Sequence, residues 1–155
     1  MELKEKDAFL RQAQGALAQM YDQIAQAPSL SWQTLDKKRT VLIVVDMING
    51  FAKEGALASP RVEAIIAENV RLWLEAKALG MQIVAFADEH TLKSPEFASF
   101  PVHCLAASPE SELVAELAEL AGGRRIGKNS TNGFLEPAFA QWLKDHEQID
   151  QFVLI

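Results

Sequence analysis

The run Val41-Leu42-Ile43-Val44-Val45 is apolar without alternation and is closed by the carboxylate of Asp46. A short, β-branched run of this kind predicts a strand buried on both faces, as in a parallel sheet. A second run covers Met81 to Ala87, with the strand itself expected at Gln82 to Ala87. A short strand near Arg125-Ile126 and a last one spanning Ile149 to Ile155 complete the set. Between the first two, Val62, Ile65, Ile66, Asn69, Val70, Trp73 and Leu74 recur at helical intervals as far as Leu79, and Gly80 can follow the helix in a left-handed conformation. Ser108-Pro109 offers a cap and a first helical residue for another helix. Leu113, Val114, Leu117 and Leu120 give it an apolar side, and Gly122-Gly123 stops it. A further helix is expected from about Pro137 to Lys144. This alternation is the grammar of crossover units and predicts an α/β fold, a three-layer sandwich with a mainly parallel sheet.

The first forty residues follow a different rhythm. Phe9, Leu10, Leu17, Met20, Tyr21 and Ile24 recur at helical spacing until Ala27-Pro28-Ser29 interrupts them. The expected organisation is therefore a helical extension and linker over residues 1–39 and the sheet domain over 40–155. The extension either covers its own domain or helps to form a dimer interface or a lid over a neighbour's site.

Composition narrows the function classes. The chain has 155 residues, 49% hydrophobic and 23% charged, enough for one domain with a sizeable core. A net charge of -6 argues against a broad nucleic-acid surface or a polybasic membrane patch. The single cysteine, Cys104, has no intrachain disulfide partner, and the charged N-terminus lacks the pattern of a secretion signal. A cytoplasmic location and no membrane partner are the resulting expectations.

The candidate chemistry sits where open α/β sheets usually hold it, at or beyond strand ends. Asp46 follows the first strand, and a carboxylate there serves either catalysis or a loop cap. Asp88 and His90 follow the second strand, with His103 across a Pro-bounded loop. Together they offer oxygen and nitrogen donors suited to zinc, iron or manganese, or else ordinary loop hydrogen bonds. Lys128 follows the third strand and, if the strands are neighbours, can hold Asp46 ionised and stabilise an anion. The following Asn129-Ser130-Thr131-Asn132-Gly133-Phe134 lacks the arrangement of a phosphate-binding loop, and Asn49, Asn129 and Asn132 read as turn residues.

Taken in order, Val41 to Phe51, Asp88-Glu89-His90, Ser99 to Cys104, Glu110 to Leu113 and Lys128 to Phe134 resemble the isochorismatase-like cysteine hydrolases, the superfamily that includes nicotinamidases. The resemblance runs from Thr40 to Ile155. It implies that Asp46 is the proton-accepting aspartate and Lys128 the catalytic lysine. Asp88, His90 and His103 then match the metal ligands of the nicotinamidase branch, with zinc expected ahead of iron or manganese and no organic cofactor. Glu89 stands where nicotinamidases commonly have tryptophan, and Thr91 where proline is common. The family's nucleophilic cysteine lies in a Gly-x-x-Thr-x-x-Cys-like segment after the last strand, which this sequence does not contain, and Cys104 reads as a small packing residue. The implied function is a cysteine hydrolase of a small-molecule amide, nicotinamidase-like, completed by a further C-terminal segment or a complementary fragment. This chain alone is expected to be inactive, and the whole protein to form a homo-oligomer. The alternatives are an isochorismatase-like or other metal-independent hydrolase, or a catalytically inactive α/β binding protein.

Overall fold

The computed structural model describes residues 3–155, and the chain divides into two compact units between Leu35 and Asp36. The first contains helix α1, Leu3–Ala25, and a single helical turn at Trp32–Thr34 capped by the Ser31 side chain. Phe9, Leu10, Leu17, Met20, Tyr21 and Ile24 all lie exposed on α1.

The second unit is built on four parallel strands: β1 (Thr40–Val45), β2 (Gln82–Asp88), β3 (Gly123–Lys128) and β4 (Gln151–Leu154), in the order β3-β2-β1-β4. The chain steps outward from β1 to β2 to β3 and then returns to the far side of β1. That reversal makes a topological switch point beside β1, the place where sheets of this kind accept ligands. Register fixes which residues meet at that edge: Val45 lies opposite Phe86, and Asp88 opposite Lys128.

Val41 through Val44 and Ile83 through Ala87 are buried on both faces, which explains their continuous rather than alternating pattern. On one face Val41, Ile43, Val84, Phe86 and Ile126 pack with Phe139, Trp142 and Leu143 of helix α6 (Pro137–Asp145) and with Ile149. Helix α4 (Ile66–Ala78) contacts β1 and β2 and buries Trp73 and Ala76. Gly80, at φ +73°, ends α4 as its spacing predicts. Gly123 has a different duty: a Cβ there would fall 2.2 Å from the Trp73 ring, so β3 can approach α4 only without a side chain.

Two local expectations change. The helix expected near Val62 divides into α3 (Pro60–Glu63) and α4, after the four-residue helix α2 (Asn49–Ala52). The helix expected from Ser108 becomes a single turn at Pro109–Ser111 followed by the short helix α5 (Ala115–Ala118). Backbone bonds break it: Asn49 N–H donates to Glu112 O, and Val114 N–H donates to Met47 O. Those cross-loop bonds claim groups that a continuous helix would have paired internally.

Candidate functional site

Asp46 leaves β1 at φ +58°, a left-handed conformation that costs a non-glycine residue about 1–3 kcal/mol and is most often kept where function needs it. Its backbone N–H donates to Phe86 O, and its Oδ1 accepts from Asp88 N–H at 3.2 Å. The carboxylate is thereby turned along the sheet edge toward β2 and β3. Lys128, 2% exposed, ends β3 and places Nζ 2.9 Å from Asp46 Oδ2 while also donating to Asp88 Oδ1. Parallel pairing of adjacent strands thus lines up three strand-end residues as a carboxylate–ammonium–carboxylate ladder.

The electrostatics follow from this geometry. Burial pushes the Asp46 carboxyl above its ordinary value and neighbouring Asp88 adds to the rise, against the opposing pull of Lys128. For Lys128 burial opposes the charge, but attraction to Asp46 and the hydrogen bonds to Asp88 and Asp46 outweigh it and raise the lysine. Asp46 thus has a raised proton affinity beside a buried cation.

Asp88 turns its other oxygen to a second cluster. Oδ2 lies 3.4 Å from His90 Nε2 and 3.9 Å from His103 Nε2. Glu96 Oε2 lies 3.1 Å and 3.9 Å from the same nitrogens. One donor atom from each of Asp88, His90, Glu96 and His103 falls within 4.8 Å of the others, which makes a set capable of coordinating a divalent metal. Asp88, His90 and His103 are therefore brought together, and they meet the Asp46–Lys128 pair through Asp88. Glu96 was not among the residues expected from the sequence. Its only signal is a carboxylate beside Pro95, inside the Pro-bounded loop that carries the histidines.

The donor chemistry fits a metal ion. His90 Nε2 is buried and makes no hydrogen bond although it faces two carboxylate oxygens. Its Nδ1 meets Asn129 Oδ1 at 2.9 Å, and His103 Nδ1 meets Pro101 O at 2.8 Å. Both rings thus have an acceptor on the outer nitrogen and direct the inner one at the cluster, the arrangement metal-binding histidines commonly show. Phe97 and Phe100 pack on His103, and Phe97 on His90, forming an apolar wall. A cleft of about 240 Å³ opens onto Asp46, Asp88, Glu96, His103 and Lys128, walled by Phe51, Leu57, Phe100 and Thr131.

Cys104 is placed elsewhere in chemical terms. Its side chain is buried with Ile48 and Ala87. Burial first, then Asp88, Glu110 and Asp46, push its thiol up to about 12, so it carries almost no thiolate near neutral pH. Of the three turn asparagines, Asn132 caps the turn Gly133–Leu135 and Asn49 donates to Pro109 O, while Asn129 faces His90.

Residues 40–155 match the isochorismatase domain. The chain belongs to the isochorismatase domain family. A curated relative, Nicotinamidase 1 of Arabidopsis thaliana, is 30% identical over 132 residues, covering 74% of this chain and 52% of the relative. Among solved structures, N-carbamoylsarcosine amidase from Thermoplasma acidophilum superposes with a TM-score of 0.69 at 27% identity, over 76% of this chain and 66% of that one. The zinc complex of Pyrococcus horikoshii pyrazinamidase gives 0.62 at 25% identity, over 75% and 69%. This isochorismatase-family chain thus spans about half the length of its curated relative and about two thirds of the solved chains. Among the described residues no helix is long and apolar enough to cross a membrane.

Proposed function

We propose that the chain carries the proton-transfer and ligand-anchoring part of a small-molecule hydrolase of the isochorismatase class, and more narrowly of an amide hydrolase. The observation that carries this reading is the division of Asp88, with one oxygen held by Lys128 and the other facing His90 and His103. A proton-transfer pair and a donor cluster share one cleft and one carboxylate. The nicotinamidase, amidase and pyrazinamidase names of its relatives support the amide reading.

In this reading the nucleophile is a cysteine from the segment that follows β4. Ile155 O accepts from Val45 N–H at 2.9 Å, so the end of β4 runs beside the residue that precedes Asp46. Asp46 takes the thiol proton, and the thiolate attacks the amide carbon to form a thioester. The proton held by Asp46 then passes to the departing amine as the C–N bond breaks. Water hydrolyses the thioester, with Asp46 accepting its proton and returning it to the thiolate. Throughout, Lys128 keeps the carboxylate aligned and offsets negative charge in the cleft. Asp88, His90, His103 and Glu96 would hold a divalent ion, zinc foremost, whose chemistry is Lewis-acidic anchoring of a substrate lone pair.

Metal-independent hydrolysis is the second reading, favoured by the Lys128 contact that already balances charge on Asp88. The test is amine release by the full-length protein from nicotinamide, an N-carbamoyl amino acid and simple aryl amides, before and after chelation. Turnover that disappears in Asp46→Ala supports the hydrolase. Turnover that survives complete metal removal selects the second reading, and turnover of none of these amides overturns the amide assignment.

A further inference from the structure

A metal-binding imidazole must present an unprotonated nitrogen to the ion, so its proton has to reside on the other nitrogen and needs an acceptor there. For His103 that acceptor is backbone, Pro101 O, and is independent of side-chain identity. For His90 it is a side chain. Asn129 Oδ1 lies 2.9 Å from His90 Nδ1, while the Ser94 hydroxyl lies farther away at 3.3 Å. Asn129 is anchored in turn, its backbone N–H donating to Glu136 Oε1 at 3.0 Å.

We infer that Asn129 is the positioning residue that fixes the His90 tautomer and ring orientation, so that Nε2 faces the donor cluster beside Asp88 and Glu96. The inference rests on the metal reading given above and adds to it a residue that touches neither ion nor substrate. Its place in the chain has a consequence. Lys128 addresses Asp88 Oδ1 and the next residue addresses His90 Nδ1, so the end of β3 orients two neighbouring donors of one cluster. A shift of this strand end would disturb both the proton-transfer pair and the metal set. The amide is well chosen for that duty, because its oxygen accepts the imidazole proton without adding another charge beside Asp88 and Glu96.

The test compares near-isosteric replacements. Asn129→Leu removes the acceptor, Asn129→Asp keeps an acceptor oxygen, and Ser94→Ala removes the more distant hydroxyl. Zinc affinity is measured by competition with a chromophoric chelator. The tautomer of each zinc-loaded histidine is read from long-range ¹H–¹⁵N spectra, and thermal melts verify the fold. The expected result is a loss of about 10–100-fold in affinity for Asn129→Leu. Asn129→Asp should restore most of it, and Ser94→Ala should cost less than Asn129→Leu. His90 should carry its proton on Nδ1 in the zinc-loaded wild type and lose that fixed pattern in Asn129→Leu, while His103 stays unchanged. Equal affinity and an unchanged His90 spectrum in Asn129→Leu would overturn the inference alone. A larger loss in Ser94→Ala would assign the role to Ser94 and overturn it too. A wild type that binds no zinc, cobalt or manganese would overturn the metal reading and the inference with it. If Asn129→Leu does not fold, Asn129→Ser decides by the same spectra, with a retained fixed tautomer and full affinity counting against Asn129.

Discussion

The two halves of the site are made in different ways. Asp46 and Lys128 stand at the ends of strands whose register is set by a continuous core, and parallel pairing alone brings them to one edge. The donor cluster takes only Asp88 from a strand; His90, Glu96 and His103 come from the loop between β2 and α5. Backbone bonds tie that loop to itself and to its neighbours: His90 N–H donates to Cys104 O, Ala106 N–H to His90 O, and Glu89 N–H to Lys128 O, while Glu112 O and Val114 N–H pair with the loop after β1. The strand-borne half is therefore rigid by construction, while the loop-borne half depends on a few hydrogen bonds and the packing of Phe97 and Phe100. Asp88 belongs to both and Lys128 reaches it from the strand-borne half, so the halves separate by mutation best away from the end of β3 and Asp88.

The largest separation is expected from Asp46→Ala. It should lower kcat for amide hydrolysis by roughly 10³-fold, within the range for loss of a positioned acid–base group, and leave zinc affinity nearly unchanged. Stopped amide assays paired with metal titration check both arms. A parallel fall in metal affinity would show that the halves are not separable.

Next in size is the loop-borne half. His90→Gln should weaken zinc binding by about 100-fold and Glu96→Gln by about tenfold, since each loses a donor while the carboxylate–lysine ladder stays intact. Competition titration on residues 1–155 measures this directly. Full affinity in Glu96→Gln would remove Glu96 from the set.

Lys128→Met sharpens the comparison through pH. Lys128 lowers the proton affinity of Asp46, in opposition to burial and Asp88. Its removal should move Asp46 further up, so that the carboxylate holds its proton to higher pH and the acidic limb of the rate profile shifts upward. An unmoved limb would mean that the limb does not report Asp46. The smallest effect belongs to Cys104→Ala. With a thiol pushed up to about 12 and buried against Ile48 and Ala87, it should leave turnover within about twofold and cost only packing stability. Loss of turnover there would make Cys104 a candidate nucleophile.

The same division explains what the sequence discloses. Asp46, Asp88 and Lys128 are legible because a buried strand announces itself by composition and its C-terminal end is where such sheets do chemistry. His90 and His103 are legible as rare residue types in a Pro-bounded loop. Glu96 is one of 21 acidic residues, and nothing in its spacing separates it from surface charge. Asn129 is hidden for a related reason, since asparagine after a strand reads first as a turn residue. The helix expected from Ser108 failed on tertiary grounds: Leu113, Val114, Leu117 and Leu120 have helical spacing, but Glu112 O and Val114 N–H are claimed by the loop after β1. Local periodicity carries no information about such cross-loop bonds.

The central claim is that Asp88, His90, Glu96 and His103 form a metal site distinct from the Asp46–Lys128 pair and from Cys104. Zinc titration of residues 1–155 combined with X-ray absorption at the zinc edge tests it most directly. The account predicts one ion per chain, nitrogen and oxygen neighbours with two imidazoles, and loss of the signal in the His90→Gln, His103→Gln double variant. Sulfur in the coordination shell, or binding that survives the double variant, would contradict it.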